Sequence, residues 1–188
     1  MSLQVDHSQN RITQDGLPIW RDLTTDIVSK GSGTGAPTWT TGVNGSFGAY
    51  AFAINDNVDM CFHMDHDYHP GSSIYFHTHW TSNGTNTSTV VWQFTYTIAK
   101  GHNQSVFATG TTITATQAGQ GTAWRHMVTE TAAVSSTELE PDTIIWVNVK
   151  RITNGGTDNT DTIYLLTSDI HYQASYLGTK NKVPNFYA

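Results

Sequence analysis

Five histidines, His63, His66, His69, His77 and His79, fall between Met60 and Trp80, and the stretch closes on a His-x-His pair in Ile74-Tyr75-Phe76-His77-Thr78-His79-Trp80. Imidazole ligates first-row metal ions and exchanges protons near neutral pH. On a β-strand successive side chains point to opposite faces, so His77 and His79 share one face while Ile74, Phe76 and Trp80 take the other. That makes His77 and His79 candidate metal ligands, half of a site. The same face could equally be a polar surface turned toward water or a neighbouring subunit, and the spacing leaves both readings open. A structural metal ion is the one cofactor these residues suggest; no other is expected.

Two further groups carry chemistry-bearing side chains. Asp65-His66-Asp67-Tyr68-His69 offers five polar groups in a row. Adjacent residues on a turn seldom converge on one ion, so a hydrogen-bonded loop is the better reading. Asp169-Ile170-His171 puts a carboxylate and an imidazole on one strand face, the arrangement of a general base and its orienter. No Ser or Cys sits in a recognisable nucleophile elbow, which favours a cross-strand polar pair. Of the six tryptophans, Trp80, Trp92 and Trp146 lie within strand patterns and are expected in the core. Trp39 and Trp124 are the candidates for an exposed platform that stacks on sugars.

The elements that position these residues read as strands, because apolar residues recur with a period of two. Val90, Trp92, Phe94, Tyr96 and Ile98 alternate with Gln93, Thr95 and Thr97, and the former should face the core. The pattern recurs in Tyr50-Phe52-Ile54, in Val58-Met60-Phe62-Met64 and in Leu166-Ser168-Ile170-Tyr172-Ala174-Tyr176. Ile144 to Val149 is apolar on both faces and should lie centrally. Weaker strands are expected over 105–114 and 123–129. Turn signals such as Asn55-Asp56-Asn57, His69-Pro70-Gly71 and Asn154-Gly155-Gly156 separate them.

About eight strands with polar loops predict an all-β, single-domain, jelly-roll-like antiparallel sandwich over 38–188. Residues 1–37 read as an N-terminal arm or irregular lead-in, with a short helix over 21–28 and a Gly-rich connection over 30–37. Met1-Ser2-Leu3 reads as a leader ahead of a slightly later natural start.

The chain has 188 residues, one domain's worth, and only 13% are charged. A net charge of −6 argues against a nucleic-acid groove, which needs a basic stripe. Cys61 is the single cysteine, so no intrachain disulfide is possible. No apolar run reaches the ~20 residues needed to cross a bilayer. The N-terminus has no basic-then-apolar signal pattern. A soluble protein without an export signal and without membrane association is expected.

Met64-Asp65-His66-Asp67-Tyr68 with Gly71, then His77-Thr78-His79-Trp80, the strand from Val90 to Tyr96, and Asp169-Ile170-His171-Tyr172 with Leu177-Gly178 together resemble a family of phage and prophage virion-associated proteins. The resemblance spans roughly residues 58–178. It implies a non-enzymatic bacteriophage structural protein, a head decoration or a tail or fibre component, found in the virion and assembled in the host cytoplasm. Its partners would be other virion proteins and copies of itself. The low charge and the Tyr75-His77-His79 face point to a closed homo-oligomer, a trimer, with a structural ion held on the symmetry axis by histidines from three chains.

Two alternatives remain. One is a carbohydrate-binding module of a tail appendage, with a surface glycan as ligand. The other is a cupin-like metalloenzyme using His77 and His79, because Gly71 followed five residues later by His77-Thr78-His79 looks like the first half of a cupin motif. Asn83 and Gly84 stand where that motif needs a Glu, and a third ligand would have to come from His126 or His171.

Overall fold

A computed structural model describes residues 3–6, 11–14, 18–175 and 177–187, the first two segments as backbone alone. Met1, Ser2 and Tyr176, which figure in the sequence expectations, lie outside the described residues. Thirteen strands and one short 3-10 turn, Gly33–Gly35, account for the regular structure of the described residues. The strands are β1 (Leu3–Asp6), β2 (Arg11–Gln14), β3 (Ile19–Leu23), β4 (Ile27–Lys30), β5 (Thr38–Val43), β6 (Phe47–Phe52), β7 (Asn57–His63), β8 (Tyr75–Ser82), β9 (Thr89–Ala99), β10 (Thr111–Ala118), β11 (Met127–Glu130), β12 (Ile144–Ile152) and β13 (Ile163–Ala174).

All pairing is antiparallel. Of the two large sheets, one runs β10-β9-β12-β7-β4 and the other β11-β8-β13-β6-β5, with β3 also paired to β13, while β1 and β2 pair only with each other. From β6 to β13 the chain passes between the sheets in jelly-roll order, as expected. β12 sits at the centre of its sheet, in line with its apolar residues on both faces.

The core lies between the sheets and follows the alternation of the strands. Val58, Met60, Phe62 and Met64 enter from β7 and its end, Val90, Trp92 and Phe94 from β9, Val147 and Val149 from β12, and Phe76 and Trp80 from β8. Aromatic rings interlock across the layer: Phe52 meets Trp92 edge-on at 5.4 Å, and Phe76 stacks on Phe94 at 5.6 Å. Arg151 is buried beneath this layer, where its guanidinium donates to the Phe52 and Asn159 carbonyls, each at 2.6 Å. Burial lowers its pKa, opposed by the nearby Asp158 and Asp56 carboxylates.

Four expectations are corrected. The segment 21–28 is not helical: β3 pairs with β13 and β4 with β7, so residues inside the supposed lead-in form strands of both sheets. With only Leu23 buried in β3, the segment gains more by extending an open sheet edge than from a short amphipathic helix. The strands expected over 105–114 and 123–129 form later, as β10 and β11. Trp146 is 38% exposed, because β12 turns its odd-numbered, apolar side inward at Ile145, Val147 and Val149. Leu166 is also exposed, because it is the extra residue of a bulge between Leu165 and Thr167.

Trp92 has no exposed surface. Trp92→Ala should therefore destabilise the protein by ~3–5 kcal/mol, and Trp146→Ala should leave the midpoint nearly unchanged; chemical denaturation of both variants checks this.

Candidate binding face on the six-stranded sheet

The outer face of β11-β8-β13-β3 collects the polar residues that the sequence scatters over more than a hundred positions. The register sets them in rows. Asp22, His171 and Tyr75 lie side by side across β3, β13 and β8, since His171 pairs with Asp22 on one side and Tyr75 on the other. In the next row Asp169 stands opposite His77, which stands opposite Glu130. The third row places Thr167 against His79 and His79 against Val128. His77 and His79 therefore share one face, as expected. Asp169 and His171 share it with them as cross-strand partners.

Side-chain geometry divides this face into two parts. In the first, His171 is clamped between carboxylates: its Nδ1 bonds to Glu130 and its Nε2 lies 2.9 Å from Asp22 Oδ1. Its ring stacks on His77 with centroids 3.9 Å apart. Beside it, Trp20, 55% exposed, meets Tyr75 edge-on at 5.5 Å. Trp20, Tyr75, Glu130 and His171 line an open hollow of about 450 Å³.

In the second part, Asp169 Oδ2 lies 3.6 Å from both His77 Nε2 and His79 Nε2. His79 Nδ1 is 2.7 Å from His126 Nε2. Burial pushes the His79 pKa below the ordinary imidazole value, with the Asp169 charge opposing it. Beyond His126 the face continues to a smaller hollow of about 160 Å³ bounded by Phe47, Trp124 and Leu166.

Among the described residues, two sets bring three potential ligand atoms within 4.8 Å of one another: His77, His79 and Asp169, and Asp22, His77 and His171. His77 belongs to both and is 1% exposed. It is covered by its own chain, so it cannot reach an ion on a symmetry axis between three chains, and the Tyr75-His77-His79 face needs no second copy to bury its central imidazole. Among the described residues, His77 and His79 line no cupin-like pocket inside the sandwich either. The interior is filled by Phe76, Trp80, Trp92 and Phe94, and the two imidazoles point away from it.

The loop from Asp65 to His69 is hydrogen-bonded, as expected. Tyr172 donates to Asp67 at 2.8 Å, Arg21 pairs with Asp67 at 2.7 Å, and His69 bonds to Ser175. Burial and the adjacent Asp67 push the Tyr172 phenol up. His66 belongs to another cluster, with His63 and His102, whose Nε2 atoms lie 2.9–3.2 Å from the Asp142 carboxylate. Trp39 is exposed and packs edge-on against Tyr50, whereas Trp124 is half-buried against Tyr164.

Sequence reading missed Trp20, Asp22 and Glu130. Trp20 and Asp22 alternate with Ile19, Arg21 and Leu23, which is a strand pattern, though a short one. Nothing local distinguishes Glu130 from any surface glutamate.

No protein-family model and no curated protein sequence matches the chain. Among solved structures, it is similar to the CBM36-1 domain of a multidomain xylanase from the hindgut metagenome of Trinervitermes trinervoides, at 12% identity, 81% coverage of this chain and 95% of that one, and a TM-score of 0.41. It is also similar to CsCBM6-3 from Clostridium stercorarium in complex with cellobiose, at 8% identity, 82% and 93% coverage, and a TM-score of 0.39. A third likeness is to infectious bursal disease virus Gt strain, at 11% identity, 93% and 36% coverage, and a TM-score of 0.35.

Asp142 supplies a pH-dependence. Burial raises its pKa, but hydrogen bonds from His102 and His66 outweigh this and hold it below the ordinary 3.8. A depressed carboxylate stabilises the fold fully above its unfolded value, and that contribution is lost as pH falls through the folded one. Asp142→Asn should be less stable than the parent at pH 5, and the gap should close on acidification below about pH 4; denaturation midpoints across that range check it.

Proposed function

We propose that the outer face of the six-stranded sheet binds a neutral oligosaccharide and does so without turnover. The observation that carries the reading is the exposed Trp20 packed edge-on against half-buried Tyr75 beside Glu130 and His171, all four bordering one open hollow, with Asp22 paired to His171 behind them. An exposed indole offers a flat apolar surface to the C–H face of a pyranose. The Glu130 carboxylate beside it accepts hydrogen bonds from the ring hydroxyls, and the Tyr75 hydroxyl donates and accepts them, while His171 holds Glu130 in place. The Glu130 carboxylate in the lining, with Asp22 close behind His171, disfavours uronic or sialic acids by charge repulsion.

Non-catalytic binding is supported by what the neighbouring hydroxyl does. Ser168, beside Asp169, is buried and donates to the His77 backbone carbonyl at 2.7 Å, so it holds two strands together and is not poised as a nucleophile. Cys61 belongs to β7 of the other sheet.

The resemblance over 58–178 carries a second, compatible reading: a virion-associated component, assembled from copies of itself and other virion proteins, with the glycan face turned outward. Trp146, exposed on the central strand of the opposite sheet, favours a contact there. Light scattering that returned only the 20.7 kDa monomer would count against the oligomer.

Titration calorimetry with neutral oligosaccharides tests the main reading. A ligand should bind, and Trp20→Ala should weaken it about tenfold or more, corresponding to roughly 1.4 kcal/mol of lost stacking. Binding that is indifferent to Trp20→Ala, or no binding across a broad neutral panel, would overturn it.

A further inference from the structure

We propose that His77, His79 and Asp169 form a mononuclear site for a divalent transition-metal ion of the Zn²⁺ class, complete within one chain and adjoining the saccharide hollow without sharing its lining residues. Three independent features of the geometry support it.

The first is spacing. Asp169 Oδ2 stands 3.6 Å from each of the two Nε2 atoms. That is beyond a hydrogen bond. It is close to the separation of about 3.4 Å that tetrahedral ligands adopt around an ion with bonds near 2.1 Å. All three ligand atoms fall within 4.8 Å of one another.

The second is unmet polarity. His77 is 1% exposed and Asp169 is 6% exposed, yet His77 Nδ1 and Asp169 Oδ1 are both buried with no hydrogen-bond partner. Buried polar groups left unpaired cost about 1–3 kcal/mol each. Asp169 Oδ1, on the carboxylate that faces both Nε2 atoms, is thereby prepared for a further species, whereas His77 Nδ1 points away from Nε2 and is not met by an ion there. An ion bound by Asp169 Oδ2 brings a positive charge to the buried carboxylate and removes the near-miss between it and the imidazoles. Asp169 Oδ1 can take a second coordination position.

The third is the support around the ligands. His126 bonds to His79 Nδ1, which fixes the ring with Nε2 toward Asp169, the outer-shell partner that a ligating histidine needs. His171, held by Glu130 and Asp22, stacks on His77 and limits its rotation. The Ser168–His77 bond ties β13 to β8 at this row. Two imidazoles and one carboxylate leave at least one position for water or a ligand oxygen. His79 is partly exposed, so that position has a route to solvent.

The other histidine cluster is the natural control. His63, His66 and His102 are already hydrogen-bonded or ion-paired to Asp142, with no three ligand atoms gathered as they are around Asp169.

The full chain, stripped with a chelator and dialysed, is titrated with Co²⁺ and, separately, with Zn²⁺. The expected result is one ion per chain at micromolar concentration, a visible Co²⁺ ligand-field band of a low-coordinate N/O site, its displacement by Zn²⁺, and a Zn²⁺-dependent rise in the thermal midpoint. His79→Ala and Asp169→Asn should abolish the band, and His126→Ala should weaken binding about 10- to 100-fold. His63→Ala and His102→Ala should leave it unchanged. Because His79 is at the surface edge of the cluster, His79→Ala gives a folded variant to read if Asp169→Asn does not, and far-ultraviolet circular dichroism verifies both. No uptake, uptake unaltered by His79→Ala, loss on His63→Ala instead, or one ion per three chains would each overturn the proposal. Saccharide binding by the metal-free chain is measured in parallel, so failure of this site is distinguishable from failure of the saccharide face.

Discussion

The pairing of β8 with β13 is the constraint on which the rest depends. It sets Asp169 opposite His77 and His171 opposite Tyr75, and a slip of β13 by one residue would send Asp169 and His171 to the core side. The bulge at Leu166 makes this register compatible with a continuous core. Before the bulge the odd residues Ile163 and Leu165 point inward; after it the even residues Ile170 and Tyr172 do, and Asp169 and His171 are released to the outer face. One extra residue thus reconciles a dry interior with a polar exterior on the same strand.

The two faces of β8 show the same division of labour. Phe76 and Trp80 pack into the aromatic layer, and the Trp80 indole donates to Thr129 of β11 at 2.8 Å, so even the core side is anchored to the neighbouring strand. Tyr75, His77 and His79 face the other way and meet residues from β3, β11 and β13. A rigid sheet holds them, which is what pre-organises a binding face without ordering loops on demand. Few Lys and Glu are needed outside, because hydroxyls, amides and imidazoles cover the sheets.

Much of the sandwich is legible in the sequence because alternation is a local signal: β7, β9 and β12 announce themselves within single windows. The shared face of His77 and His79 is legible for the same reason. What is not legible is non-local. Nothing near Glu130 or Asp22 says that each will reach His171, and the bulge that exposes Leu166 shows only when β13 is paired with β8. The segment 19–30 reads as a lead-in because its strands are short and become stable only by extending edges that other segments provide. Trp146 misleads because a central strand, apolar on both faces, does not reveal which face the opposing sheet covers.

The proposed ligand-binding surface is the outer face of β3, β8, β11 and β13. The most direct measurement is amide and indole chemical-shift mapping of isotope-labelled protein during titration with a neutral oligosaccharide. The Trp20 indole and the amides around Tyr75, Glu130 and His171 are expected to shift together with one affinity. Shifts confined to β9, β12 and the Trp146 indole, on the outer face of the opposite sheet, would contradict it.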